Sequence, residues 1–449
     1  MEIAIILLIA ISIFLMTSIK AKDDLFILLI SSIFLINWIA DGLYLIPHFF
    51  TFIIELIIAI LFINFLLPKI IYLKKINLGP FGKYILLLIL YSLIGSLIYF
   101  VNFSSILLGF RALFKYLFLY IIFINSSLSQ RSYKKIFKAW LFLMCIQPIV
   151  GSYQYFIEGK IADPVYGMLL DTGFQAILLI VLILFLIDLR DKKVINKFIL
   201  YTIIILSIII IPIFGEVKAF FYFLPIALII KNFHYIIKFE LYRIGKFILP
   251  FIVGIYFLQS IFLSFWKVEL FDFNSIDFSA FVFSQGTESA STLDNPQASL
   301  SISLSERFLV LGAVYNFLNQ DKTKIFFGDG LGSSVFTYDS RNELTQQQIG
   351  GIVGQEQYLK KYTFGRVIQN IGLIGLIFFC LILINISIYS YKASRVTNDD
   401  FFKSIYQIIP AFSLLFLLSI FYTDPFTDSI SFTYWFFVGG LHFLPELEQ

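Results

Sequence analysis

Apolar runs long enough to cross a bilayer recur almost without pause along the 449 residues, at about 3–19, 25–40, 43–67, 84–101, 104–124, 136–157, 169–189, 198–214, 216–230, 247–266, 366–391, 405–423 and 431–445. Hydrocarbon offers the backbone no hydrogen-bonding partner, so a run of this kind spans a membrane as an α-helix that satisfies its own N–H and C=O groups. The composition agrees: 59% hydrophobic and only 14% charged residues, where a soluble domain carries roughly a quarter charged to cover its surface. The expected fold is therefore an all-α polytopic membrane protein of about 12–13 helices. The last run is short enough to be interfacial or re-entrant. A cytosolic enzyme is excluded, and a net charge of +4 gives no footprint for nucleic acid. The first run lacks a basic flank and a small-residue cleavage site, so it is expected to be a span and not a removed leader. Cys145 and Cys380 sit inside apolar runs and are expected to be small buried hydrophobes.

Charge then orders the runs. The loops near 20–24, 69–83, 131–138, 190–197, 231–246 and 392–403 hold 21 of the 33 Lys and Arg, whereas the short loops between them hold only Lys160 and Lys218. Positive charge stays on the cytoplasmic side, so every second loop is expected there and the N-terminus outside. Three regions follow: a bundle of about ten helices over 1–266, an external segment over 267–365, and the C-terminal helices over 366–449. The external segment is rich in Ser, Gln, Asp and Asn. In it, Ser303-Leu304-Ser305-Glu306 has the spacing of a capping box opening an amphipathic helix, SERFLVLGAVYNFLNQ. A glycine-rich turn, FFGDGLGSSVF, comes next, and KKYTFGRVIQNIGLIGLIFF returns to the membrane.

Charges at costly depths are the candidate functional residues. Arg111 and Lys115 lie within a span, four residues apart on one helix face. Such charges pair, snorkel or line a polar cavity; a structural pairing and an anion-binding role are both open for Arg111. Glu216 and Lys218 occupy a very short external connection, where mutual neutralisation is an equal alternative. Arg307 opens the external helix and Arg366 stands at the mouth of the returning span. Together with Arg111 and Lys218 they put cations from four distant segments at one level, a pattern suited to a multiply charged anion because guanidinium groups bind phosphate oxygens bidentately. Gly328-Asp329-Gly330-Leu331-Gly332 lacks the lysine and the βαβ setting of a nucleotide loop; a plain turn is favoured over a backbone nest that touches phosphate. The three histidines, His48, His234 and His442, lie in separate segments, so no metal or other cofactor is expected. Tyr315, Phe336, Tyr338 and Tyr358 are aromatics of the external segment with faces that suit sugar rings.

The stretches ERFLVLGAVYNFLNQDKTKIFFGDGLGSSVF and RVIQNIGLIGLIFF, with GFRALFKYL and GEVKAFFYFLP upstream, give an arrangement that resembles the O-antigen polymerase and O-antigen ligase family. The motifs cover about a quarter of the chain and the topology most of it. The resemblance implies a metal-independent glycosyltransferase of the bacterial inner membrane, with an active site facing the periplasm. It would join undecaprenyl-diphosphate-linked oligosaccharides, donor and acceptor, in surface polysaccharide (lipopolysaccharide or exopolysaccharide) synthesis. Membrane lipid and a chain-length regulator protein would be its partners. The diphosphate-binding residues carried over are Arg307, Arg366 and Lys218, the last where an Arg is usual, with Arg111 beside them; Glu306, Asp329 and Glu216 are candidates for the base. Ligases carry a His about where Lys361 stands, and its absence favours a polymerase. A ligase passing the glycan to a lipid acceptor and a transporter or flippase are the alternatives; a transporter would be expected to gather its polarity at mid-membrane.

Overall fold

The computed structural model describes residues 22–160, 165–169, 171–191, 202–204, 206–207, 209–215, 217–232, 259–260, 310–333, 363–426 and 428–444. Among these, every regular element is helical. The runs at 3–19 and 247–266 and the capping box at 303–306 lie outside the described residues, 259–260 excepted.

Helix α1 (Lys22–Asn37) closes in a wide turn over Trp38–Gly42. After Pro47 a tight 3-10 turn, His48–Phe52, leads into α2 (Ile53–Phe65), and Pro68 opens the short α3 (Leu67–Ile71). Then follow α4 (Gly82–Ile98), α5 (Phe103–Asn125), α6 (Gln130–Phe156), α7 (Thr172–Asp191) and α8 (Lys218–Lys231). Residues 310–320 form α9, and α10 (Thr323–Phe327) precedes the glycine-rich turn. The chain ends in α11 (Thr363–Val396), α12 (Asp400–Ser419), α13 (Asp428–Gly439) and a 3-10 turn, Gly440–Phe443. Among the described residues seven helical stretches are long and apolar enough to cross a bilayer: Lys22–Gly42, His48–Ile71, Phe103–Asn125, Gln130–Phe156, Thr172–Leu189, Thr363–Val396 and Asp400–Ser419. Helix α4 is apolar but shorter. This is the architecture of an α-helical membrane protein.

Side-chain caps set several helix starts. The Asn102 side chain accepts from the Ser105 N–H at 2.8 Å and Ser129 Oγ from the Ser132 N–H at 3.0 Å, each occupying a donor that the first turn leaves without a helical partner. Asp399 caps α12 by accepting from Phe401 and Phe402. In the middle of the bundle lies α7, whose residues from Ala176 to Leu186 are all essentially sealed from the surface. Lipid is as apolar as leucine, so helices associate here through close packing and interhelical hydrogen bonds. Aromatic rings supply much of that contact: Tyr133 stacks on Phe436 at 4.7 Å between centroids, Phe137 meets Phe185 at 4.7 Å, and Phe412 meets Tyr434 edge-on at 5.3 Å.

Among the described residues, four of the basic loops, those near 20–24, 69–83, 131–138 and 392–403, meet at one end of the bundle, as their alternation in the sequence leads one to expect. Lys135 pairs with Asp23 and Asp24 at 2.9 and 2.8 Å, and Lys134 with Asp399 at 2.6 Å. Lys22 donates to the Ser126 carbonyl at 3.2 Å and Lys69 to the Asn125 side chain at 3.0 Å. Burial pushes the Asp399 carboxyl up, but the Lys134 bond and the two capping N–H groups outweigh it and hold it below the ordinary carboxylate value. The opposite end carries the glycine-rich turn and the start of α11.

Candidate functional site

The site is built on a broken helix. Gly372, inside α11, has φ 69° and ψ 176°, which interrupts the helical ladder. Only glycine reaches that conformation without strain, and the close neighbours leave no alternative, since a Cβ there would stand 2.1 Å from the Phe326 carbonyl oxygen. A break of this kind releases carbonyls of the preceding turn, which must find other donors when buried. The glycine-rich turn supplies one: the Asp329 N–H donates to the Gln369 carbonyl at 2.7 Å.

The turn itself is docked between three helices. Leu331 N–H donates to Ser96 Oγ on α4 at 2.8 Å, and Gly332 N–H donates to Asn370 Oδ1 on α11 at 2.6 Å. On α5, Gly332 lies so close to Ser105 and Gly109 that a Cβ at 332 would be 1.9 Å from the Ser105 carbonyl oxygen. Tyr91 donates to the Phe326 carbonyl, and the Tyr99 hydroxyl meets Thr323 Oγ1 at 2.5 Å. The remaining N–H groups bond locally: Gly328 to the Lys324 carbonyl, Gly330 to that of Phe327 and Ser333 to that of Gly330. Every N–H from Gly328 to Ser333 is thus used by the protein, which makes the segment a plain turn and not a phosphate nest. The described part of residues 267–365 is accordingly seated on the bundle. Its α9 is amphipathic as expected, with Val310, Ala313, Val314 and Phe317 buried at helical spacing and Tyr315 exposed.

Two of the sequence candidates come together here, Asp329 and Arg366. Asp329 Oδ1 pairs with Lys324 at 3.1 Å, and its Oδ2 receives a long bond of 3.4 Å from Gln369 Nε2. Lys324 is held over the Phe317 ring at 4.4 Å. One turn along α11 from Gln369, Arg366 donates to Thr363 Oγ1 at 2.9 Å and pairs with Asp424, in the connection after α12. The Arg366 carbonyl accepts from Asn370 Nδ2 at 2.6 Å, so Asn370 ties the Arg366 backbone to the glycine-rich turn. Two residues before α10 proper, the Thr323 backbone N–H and hydroxyl hold the Asp321 carboxyl below the ordinary value.

The other candidates are placed differently. Arg111 is bound to Glu55 of α2, through Nη2 at 2.8 Å and Nε at 2.9 Å, and Lys115 reaches the same carboxylate oxygen at 3.1 Å. Since Gly109 faces the glycine-rich turn, Arg111, about 200° further round the helix, points away from Asp329. The structural pairing that the sequence left open is present, with a partner the sequence reading did not pick out. Lys218 opens α8, which packs along α12; Phe223 of α8 meets Tyr422 at 6.0 Å, two residues before Asp424. Glu216, Glu306 and Arg307 lie outside the described residues.

Several polar residues of the site escaped the sequence reading: Glu55, Ser96, Thr363, Gln369, Asn370 and Asp424. A further set is a buried glutamine network. Gln154 exchanges two bonds of 2.8 Å with the backbone of Gly167, while Gln147 Oε1 accepts from Met168 N–H at 2.9 Å and from Gln175 at 3.0 Å. It anchors the segment before α7, where Asp171 Oδ1 meets Thr423 Oγ1 at 3.3 Å, next to the Arg366 partner. Among the described residues no three His, Cys, Asp or Glu side chains gather in a metal-ligating group. No protein-family model matches this chain, and no curated protein does.

Proposed function

We propose that this protein is a surface-polysaccharide polymerase, a glycosyltransferase that joins polyprenyl-diphosphate-linked repeat units at the outer face of the bacterial inner membrane. The observation that carries the reading is Arg366. It is a guanidinium fixed by Asp424 and Thr363 on a helix end, beside a docked turn bearing a carboxylate, at the end of the bundle away from the basic loops.

In the reaction, a hydroxyl oxygen of the acceptor glycan attacks the anomeric carbon of the donor. The bond from that carbon to the diphosphate oxygen breaks, the polyprenyl diphosphate leaves with the electron pair, and the hydroxyl proton passes to a base. Fixed cations lower the barrier by matching charge that develops on the leaving group, and preorganised ones cost no reorganisation at that moment. Arg366, Arg307 and Lys218 are assigned that role; Arg111, bound to Glu55 and facing away from Asp329, is left out of it. A positioned base adds about 10²- to 10⁴-fold; Glu306, Glu216 and Asp329 are the candidates. Asp329 is the one whose surroundings are described, and its engagement by Lys324 suits a positioning role as well as a basic one.

The test is to incubate the purified protein in nanodiscs with the native polyprenyl-diphosphate-linked repeat unit, without added metal, and to size the lipid-linked products. A ladder beyond the input, lost in Arg366→Ala and in Arg307→Ala, is expected. Unextended substrate with the native unit would overturn the polymerase and leave a ligase or a transporter.

A further inference from the structure

Arg111 leaves part of its guanidinium uncovered. The side edge is taken, since Nε and Nη2 both donate to Glu55 Oε1, at 2.9 and 2.8 Å, and the Phe52 ring lies over one face with its centroid 5.2 Å from the guanidinium carbon. Among the described residues nothing bonds to Nη1, so the end edge, Nη1 with the second hydrogen of Nη2, is left over. The Arg111 side chain is 46% exposed, whereas Lys115, on the same carboxylate oxygen, is 12% exposed and turned into the bundle. The exposed surface around Arg111 is apolar. Leu107 and Leu108 share its face of α5 one turn nearer the helix start, and both are exposed, as are Phe52 and, two turns along α2 from Glu55, Ile63. On a membrane bundle such a surface faces lipid. The depth is close to that of the headgroups. The connection into α2 carries an exposed pair, His48 with Asp41 at 2.7 Å, and Glu55 is only the third residue of α2. Arg111 therefore lies about two turns below an interface, within reach for a side chain that snorkels, at the end of the bundle away from the basic loops.

A guanidinium edge turned to hydrocarbon is costly without a countercharge. Two parallel N–H groups at that edge match two oxygens of a phosphate. One edge suits a phosphodiester with a single negative charge; a diphosphate brings further charge that the inward Lys115 is not placed to meet. We propose that Arg111 clasps the headgroup of an anionic glycerophospholipid of the outer leaflet. Nη1 and Nη2 donate to the two non-bridging oxygens of its phosphodiester, and an acyl chain runs toward the bilayer centre over Ile63. Glu55 and Phe52 are positioning residues: the carboxylate fixes the side edge and the ring one face, so that the end edge points outward. The lipid covers the seam between α2 and α5. This site lies on the far side of α5 from Asp329 and does not depend on the polymerase reading.

The experiment titrates the delipidated full-length protein in detergent with phosphatidylglycerol, phosphatidylcholine or farnesyl phosphate and counts bound lipid by native mass spectrometry. Wild type should bind phosphatidylglycerol more tightly than the other two. Arg111→Gln, which leaves Lys115 to pair with Glu55, should weaken phosphatidylglycerol about tenfold, while Arg131→Gln, the same change of charge at the basic end, should leave it unaltered. If Arg111→Gln does not elute from a sizing column as wild type does, phosphatidylglycerol with a diazirine in its acyl chain is cross-linked to wild type instead, and the label should fall on peptides holding Ile63 or Leu107 to Lys115. Phosphatidylglycerol bound no better than phosphatidylcholine, an Arg111→Gln that binds like wild type, an Arg131→Gln that loses as much, or label confined to other peptides would each overturn the site. Farnesyl phosphate that binds more tightly than phosphatidylglycerol and is weakened by Arg111→Gln would overturn the phospholipid and assign the edge to a polyprenyl carrier.

Discussion

Glu55 shows how one residue settles the meaning of two others. Arg111 and Lys115 stand out in the sequence as cations in a span, yet a lone Glu two segments earlier passes for part of an apolar run until the fold brings its carboxylate within 2.8–3.1 Å of both. Removing one member of a buried ion pair costs about 3–5 kcal/mol because the other charge is stranded; the half-exposed Arg111 brings the figure toward the lower end. Glu55→Leu should accordingly destabilise the protein by about 3 kcal/mol, measured as denaturation in detergent, and adding Lys115→Met should recover part of the loss. Wild-type stability in the single variant would remove Glu55 from this role. Arg366→Lys is the complementary residue-scale case. Lysine keeps the charge but lacks Nε and the planar fork, so chain extension should fall at least tenfold with protein levels unchanged, read from the length of lipid-linked products.

At the scale of elements, the break in α11 and the turn docked on it form one unit. Gly372→Ala would place a methyl against the Phe326 carbonyl and force a side chain into a left-handed backbone. The helix is expected to straighten and release the turn, so the amides of Asp329, Leu331 and Gly332 should exchange with deuterium at least tenfold faster while those of α12 are unaffected. Equal protection in the variant would mean that the turn is held without the break. The start of α12 depends on pH. Asp399 has a lowered folded-state pKa, so its contribution is fully present at neutral pH and is lost as the pH falls from the ordinary carboxylate value of 3.8 through the lowered one. Asp399→Asn should flatten that acid limb of the stability profile; since both partners are about a third exposed, the effect is about 1 kcal/mol at most.

For the whole molecule, the sequence was informative where periodicity or charge acts along the chain and uninformative where a contact joins distant segments. The apolar runs that fall among the described residues are helices, and the four described basic loops do meet at one end, because both follow from local composition and the cost of burying charge. The amphipathic face of α9 was equally legible in Val310, Ala313, Val314 and Phe317. Seating of the glycine-rich turn against Ser96, Ser105, Gly109 and Asn370 was not, since serine, glycine and asparagine in a span have the same composition whether they face lipid or a docked backbone. Asp424, the partner of Arg366, stands 58 residues away from it, and no local pattern links them. Orientation is testable directly. In a background with Cys145 and Cys380 replaced, Asp321→Cys should react with an impermeant maleimide on intact cells and Lys75→Cys only after permeabilisation; the reverse pattern would invert the topology.

The docked turn also dictates an order of assembly. The groove that receives residues 328–333 is made by α4 and α5, which leave the ribosome more than two hundred residues before the turn does, and by α11, which follows it. From the insertion of α5 until residues 310–333 fold back, the groove waits without the turn, and it can do so: Ser96 Oγ donates to the Ser92 carbonyl of its own helix at 2.9 Å and the backbone beside Gly109 lies within α5. The groups that lack partners until docking are those of the turn itself, the N–H groups of Asp329, Leu331 and Gly332, so it is the arriving segment that must stay in water until α11 completes its seat.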